Sequence, residues 1–255
     1  MALRVYVKTK LPRARLTPSE RIPPRINGTP TDVIATGTIE ALVRPTPCGI
    51  SCGHPGITAG TMGCLVRRTG DEDGRRFILS ANHVLANSND AAAGDPILEP
   101  GPEDGGTSPI ARLTDFQPID FDGPNRIDAA IAEVIVPGDV LPEIAVIGPV
   151  QPSPSMPAVH QRVRKHGRTT LHTGGVVVDL AADIRVHYTA GVAEFEGQIG
   201  IEGGDGAFAL GGDSGSLVVD AESSRPVALV FAGGIGTVFA NPIDDVLARF
   251  TVEIV

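Results

Sequence analysis

Gly211-Gly212-Asp213-Ser214-Gly215-Ser216 runs directly into the β-branched segment Leu217-Val218-Val219. Glycine, aspartate and serine are ordinary turn residues, but a serine set between Gly-Gly-Asp and Gly-Ser at the mouth of a strand is more specific than a turn requires. A serine hydroxyl is a poor nucleophile at neutral pH. It becomes one when an imidazole takes its proton and a carboxylate holds that imidazole in the right tautomer. Donors aimed at the oxygen on which negative charge develops complete such a site.

Upstream, two segments carry the missing parts: Leu79-Ser80-Ala81-Asn82-His83-Val84-Leu85 and Arg126-Ile127-Asp128-Ala129-Ala130-Ile131-Ala132. His83 by its apolar neighbours alone would read as a core histidine. With the other two segments in order it reads as a base. Asp115, Asp120 and Asp122 compete with Asp128. Asp120 and Asp122 lie among Pro118, Gly123 and Pro124, where turn and solvent roles prevail. Asp128 opens an apolar strand, and a carboxylate buried there needs a polar partner. His54, His160, His166, His172 and His187 read as surface or structural residues. The order His, Asp, Ser fits badly with the α/β-hydrolases, which run Ser, Asp, His with the serine on a strand-to-helix turn.

Around these segments the chain reads as short strands. Thr61–Arg68 and Arg75–Ser80 flank a hairpin turn, and Pro109–Phe116 and Asp128–Val136 are further apolar runs. Residues 148–157 are the sharpest composition break and read as a linker. Strands resume at Gln161–Lys165, Gly175–Leu180, Ile184–Thr189, Ala193–Ile201, Ser216–Val219, Pro226–Phe231 and Thr237–Ala240. Such spacing argues for a barrel or a sandwich. One helix is expected near the C-terminus, with Asn241 as cap, Pro242 in its first turn and Val246, Leu247 and Phe250 on its apolar face.

The three segments resemble the trypsin/chymotrypsin-like serine peptidases, in which Ala-x-His carries the base, a short Asp-Ala strand start the aspartate and Gly-Asp-Ser-Gly the nucleophile. Lys165-His166-Gly167-Arg168-Thr169-Thr170, followed by Gly174-Gly175, also resembles a segment of bacterial members. The resemblance spans residues 58–250. It implies an all-β fold of two antiparallel six-stranded β-barrels of the chymotrypsin type with a C-terminal helix. The domains would be a basic Pro-rich arm (1–45), a barrel carrying His83 and Asp128 (46–147), the linker, and a barrel carrying Ser214 (158–255). It further implies a serine endopeptidase with a polypeptide substrate, a triad of His83, Asp128 and Ser214, and an oxyanion hole from the N–H groups of Gly212 and Ser214. The specificity pocket would lie near Phe208, Phe231, Ala232 and Gly233, with no acidic residue at its base and a taste for apolar or small side chains. No cofactor is implied. Digestive members pair a freed N-terminus with the aspartate beside the nucleophile. No such start precedes the first barrel here, so Asp213 requires another partner or the loop is held differently. A peptide-binding module on the same fold, or a protease restricted to itself or one partner, are the other function classes.

The whole chain has a formal charge of −9, yet residues 1–30 carry Arg4, Lys8, Lys10, Arg13, Arg15, Arg21 and Arg25 against Glu20 alone. An acidic body argues against nucleic acid as partner. No run of about 18 apolar residues exists to span a membrane. The N-terminus lacks the apolar core of a signal peptide, so a cytoplasmic location is expected. Cys48, Cys52 and Cys64 are an odd number of thiols, and with His54 their spacing matches no common zinc pattern; they are expected as simple thiols with no metal. Oligomeric state is not legible.

Overall fold

Gly70 and Gly74, both at positive φ (76° and 73°), lie in the turn between β1 (Cys64–Arg68) and β2 (Phe77–Ser80). The predicted hairpin forms, with Cys64 opposite Leu79. The computed structural model describes residues 2–7, 9–35, 44–71, 73–234 and 236–255. The chain divides into two compact units, Met1–Val43 and Arg44–Val255. Strand labels here count the strands of the second unit's two main sheets.

The first unit differs from the extended arm expected of residues 1–45. Its described part is a small sheet: Leu3–Val7 runs parallel to Thr29–Ala35, and Arg25–Ile26 runs antiparallel to the same strand. Asn27 (φ 50°) and Gly28 (φ 81°) make the two-residue turn. Asn-Gly is the residue pair that tolerates two successive positive φ values, and it overrides the surrounding prolines. Residues 36–43 lie outside the described residues.

In the second unit the first half supplies β1, β2, the single-turn helix α1 (Asn82–Leu85), β3 (Pro96–Leu98), β4 (Pro109–Phe116), β5 (Pro124–Asn125) and β6 (Ala130–Val134). The second half supplies β7 (Arg162–Gly167), β8 (Leu171–Tyr188), β9 (Gly191–Gly203), β10 (Leu217–Asp220), β11 (Pro226–Gly233), β12 (Thr237–Pro242), α2 (Ile243–Phe250) and β13 (Val252–Ile254). The first sheet has six antiparallel strands in the order β13-β1-β2-β6-β4-β3. The second runs β5-β9-β8-β7-β10-β11-β12, and β12 pairs again with β9, Ile199 opposite Ala240. Six antiparallel strands thus return on themselves, and β5 joins from the first half in parallel. The expected all-β class, with six antiparallel strands in each main sheet and a C-terminal helix, is what the chain adopts.

The core forms two buried clusters: a larger one around Phe77, Ile78, Leu79, Ile97, Ile110 and Ile131 that runs on into the second half through Phe195, Leu217, Leu229 and Phe231, and one within the second half around Val163, Val177, Ile199, Val218 and Val230. The expected strands Gly175–Leu180 and Ile184–Thr189 are one strand, β8, whose register against β9 shifts around Asp179 and Ala182. Bulges let a strand bend without ending. The hairpin β8–β9 therefore extends past the stretch of β9 that pairs with β12.

Helix α2 buries Ile243, Val246, Leu247 and Phe250, each contributing about 1.5–3 kcal/mol relative to exposure. Its N-cap is Pro242, not Asn241. Asn241 is fully buried and its amide bonds elsewhere, so no capping oxygen reaches the helix. After α2 the chain crosses back: β13 pairs with β1 in the first half, Ile254 opposite Val66. The segment expected as a linker (148–157) is tied down in part, since Gln151 N–H donates to Ser224 O and Ser155 N–H to Pro226 O. Among the described residues no helix is long and apolar enough to cross a membrane.

Candidate active site

Strand β2 ends at Ser80, and Ala81 in extended conformation launches α1, which carries His83. Across the sheet β6 pairs with β2, Ala130 opposite Ser80, which brings the residues just before β6 beside α1. Asp128 lies there with 0% exposure. Its Oδ2 meets His83 Nδ1 at 2.6 Å, and its Oδ1 accepts from His83 N–H at 3.2 Å. Burial alone would lower the pKa of the imidazole, but the charge of Asp128 and its hydrogen bond more than offset this and hold His83 above its ordinary value. Burial would raise the pKa of Asp128, and His83, with help from Tyr188, pulls it below the usual carboxylate range. The arrangement therefore stabilises the imidazolium through which a proton-accepting histidine passes.

The Asp128 backbone is held by a side chain. Asn241 Oδ1 accepts from Asp128 N–H at 3.1 Å, and Asn241 Nδ2 donates to Asp128 O at 3.0 Å. A buried primary amide thus acts as one rung of a strand ladder, linking β12 to the aspartate. Tyr188, at the end of β8, donates its hydroxyl to Asp128 Oδ2 at 2.8 Å. Neither residue was expected from the sequence.

Ser214 sits in the turn before β10, and the two halves meet around it. Thr61 N–H donates to Ser214 O at 2.8 Å, Thr61 Oγ1–H donates to Gly212 O at 2.9 Å, and Ser80 Oγ–H donates to Thr61 O at 2.7 Å. Gly215 (φ 91°) lies so close to Ser80 that a Cβ would meet its Oγ at 2.0 Å. Gly212 has φ 96°, a backbone state that suits glycine. Among the described residues the N–H groups of Gly212 and Ser214 have no acceptor. Ser214 Oγ donates to Phe231 O at 3.4 Å; no hydrogen bond joins it to His83, whose Nε2 is also without a partner among the described residues. Bonds of this kind are commonly long or absent without substrate and tighten when it binds.

Asp213 finds the partner that the sequence left open. It is fully buried, with Lys165 Nζ at 3.7 Å. Thr169 N–H (2.8 Å), Leu210 N–H (2.9 Å), Thr170 Oγ1–H (2.8 Å) and Thr170 N–H (3.2 Å) also donate to it. Lys165 is itself enclosed; burial lowers its pKa and Asp213 counters. The segment Lys165–Thr170 is thus the cradle of the serine turn. Arg168 ties this cradle to the first half through Glu103 and Asp104. Lys165→Met keeps the stem and removes the charge, stranding a buried carboxylate. Unfolding free energy is expected to fall by about 3 kcal/mol in urea titration, the low end for a broken buried pair because four donors remain. A change under about 1 kcal/mol would show that those donors suffice without the lysine.

Beside Ser214 lies a pocket of about 200 Å³. Ala209, Leu210 and Gly211 form one wall, Phe231, Ala232 and Gly233 the other, and Val230 and Val238 also line it. Among the described residues its lining is apolar or glycine apart from Ser214. Of the residues expected at the specificity pocket, Phe231, Ala232 and Gly233 line this one. Phe208 is not in the lining: it is 1% exposed and turned into the core, its ring 6.0 Å from Lys165 Nζ. The long side chain fills space beneath the cradle, and the smaller Ala209 faces the pocket.

Cys48, Cys52 and Cys64 are buried and unpaired, and burial pushes the Cys48 thiol up to about 12. His54 bonds Asp95 at 3.3 Å and accepts from Gly56 N–H.

No protein-family model and no curated protein sequence matches the chain. Solved structures do. Thermobifida fusca Protease A is 18% identical with a TM-score of 0.57, covering 82% of this chain and 99% of its own. Cellulomonas bogoriensis chymotrypsin is 17% identical with a TM-score of 0.55, and Nocardiopsis protease is 14% identical with a TM-score of 0.58; each alignment covers 82% of this chain and 99% of the other. At these identities the likeness is one of architecture, and the chain has the trypsin/chymotrypsin-like serine peptidase fold.

Proposed function

We propose that the chain is a serine endopeptidase in which His83, Asp128 and Ser214 act together. The observation that carries this reading is the 2.6 Å bond between His83 Nδ1 and the buried Asp128, which leaves Nε2 free, while Ser80, three residues before His83, donates to the Thr61 carbonyl whose own N–H holds Ser214 O. With Nδ1–H donated to Asp128, the lone pair of Nε2 accepts the Ser214 Oγ proton as Oγ attacks the substrate carbonyl carbon. The carbonyl oxygen gains the negative charge and accepts from the Gly212 and Ser214 N–H groups. When the C–N bond breaks, His83 returns the proton to the leaving amine, leaving Ser214 acylated. Water then repeats the sequence and frees the acid. Each backbone donor of this type is worth about 3 kcal/mol of barrier.

The pocket beside Ser214 supports a small apolar side chain before the cut bond: its lining side chains are apolar apart from Ser214 and offer no charge to pair with Arg or Lys. Three unpaired thiols support a reducing compartment. The second reading, a peptide-binding module without turnover, is favoured by one observation, the Ser214 hydroxyl turned toward Phe231 O.

Incubation of the purified protein with a proteome-derived peptide library, read by mass spectrometry, tests both readings. Cleavage after Ala or Val at least tenfold over Arg is the expected result. Intact peptides at all positions, with peptides retained on the protein, would support the binding module instead.

A further inference from the structure

Asp128 is a carboxylate with 0% exposure, and such a charge is sustained only by donors and an opposite charge. His83 supplies two contacts, and the third comes from Tyr188, whose hydroxyl lies 2.8 Å from Oδ2, the same oxygen that meets His83 Nδ1. Tyr188 is 60 residues away in sequence and reaches the site only because β8 and β9 extend as a long hairpin. Its ring is seated on three sides: His83 at 5.9 Å between centroids (61°), Phe121 edge-on at 6.0 Å (85°) and Phe195 at 6.2 Å. The hairpin end is fastened to the first half by β5, which pairs in parallel with Glu194 and Phe195, and by Asn125 Nδ2, which donates to Glu194 O at 3.0 Å.

We propose that Tyr188 is a positioning residue of the candidate active site, acting through Asp128 to aim the His83 imidazole and set its basicity. The inference rests on the hydrolytic reading of His83, Asp128 and Ser214. Burial, and then the Asp128 charge, push the phenol far above its ordinary pKa, so the hydroxyl stays protonated and donates at every working pH. By withdrawing charge from Oδ2, it moderates the pull of the carboxylate on the imidazolium and fixes which oxygen faces Nδ1. Asp128 is the charge that bears on this imidazole, and His83 and Tyr188 are the ionisable groups that bear on Asp128.

Tyr188→Phe removes the hydroxyl and keeps the ring and its three aromatic contacts. Three readings are taken on the full chain: kcat and KM across pH, the unfolding midpoint, and the titration of His83 by NMR. Expected are an unfolding midpoint close to wild type, a roughly tenfold loss carried by kcat with KM little changed, and an acid limb moved to higher pH as the unmoderated carboxylate raises the His83 pKa. A wild-type kcat with an unmoved acid limb would overturn the proposal. So would lost activity that follows a lowered unfolding midpoint without a shift in His83, because that marks packing alone. The NMR titration needs no turnover. If the wild type proves inactive, a His83 pKa unmoved by Tyr188→Phe still overturns the role of the tyrosine, whereas a raised one supports it and leaves only the hydrolytic reading to fall.

Discussion

Ser214→Ala should abolish covalent labelling by a fluorophosphonate probe and lower turnover on the order of 10⁶-fold, with the protein still folded. The probe reacts with a serine oxygen only where a base removes its proton and donors stabilise the resulting oxyanion. The proposed mechanism assigns these parts to the His83–Asp128 pair and to the Gly212 and Ser214 N–H groups, which have no acceptors among the described residues. The substitution is structurally mild. Ser214 Oγ makes a single 3.4 Å hydrogen bond, to Phe231 O, so unfolding free energy should move by less than about 0.5 kcal/mol. Labelling that survives in Ser214→Ala would place the nucleophile elsewhere. Absent labelling in folded wild type would favour the binding module. A labelled wild type that leaves generic substrates intact would indicate a protease restricted to itself or one partner.

Asp128→Asn should slow turnover about 10⁴-fold while the fold persists. The amide is nearly isosteric, but it presents no charge to the imidazolium and can hold the wrong tautomer of His83. Burial, which lowers the pKa of His83, would then act unopposed, so the acid limb of the pH–rate profile should fall from above to below 6.5. Stability follows the same pair. The raised pKa of His83 contributes stability that is complete below its unfolded value and lost as pH rises through the folded one. The lowered pKa of Asp128 contributes stability present above its unfolded value and lost as pH falls through the folded one. Wild type and Asp128→Asn should therefore differ most between about pH 4 and pH 6.5 in urea titrations. Near-normal rates in the variant would move the orienting role to Asp120 or Asp122.

Much of this molecule is legible from local pattern. The strands around residues 64–68, 77–80, 109–116 and 226–233 alternate or concentrate apolar residues between Gly and Asp turns, and they form close to where the pattern puts them. Asn27-Gly28 was equally legible as a hairpin turn, and the prolines around it masked the signal. Asn241 misled for a physical reason. Its position before Pro242 satisfies the rule for a helix cap, but burial gave its amide a stronger claim in the Asp128 backbone. Phe208 misled because position in a loop says nothing about which way a large side chain turns.

The sequence by itself determined the all-β class and the His, Asp, Ser order, because strand periodicity, turn chemistry and residue type are local properties. Only the tertiary structure decided how Asp213 is neutralised, which side chain clasps the Asp128 backbone and that Tyr188 reaches Asp128. Lys165, Asn241 and Tyr188 are each tens of residues from the groups they serve. Nothing in their own neighbourhoods marks them. They become partners only because strand pairing buries a carboxylate or a peptide group that must then find a donor, a charge or an acceptor within a few ångströms.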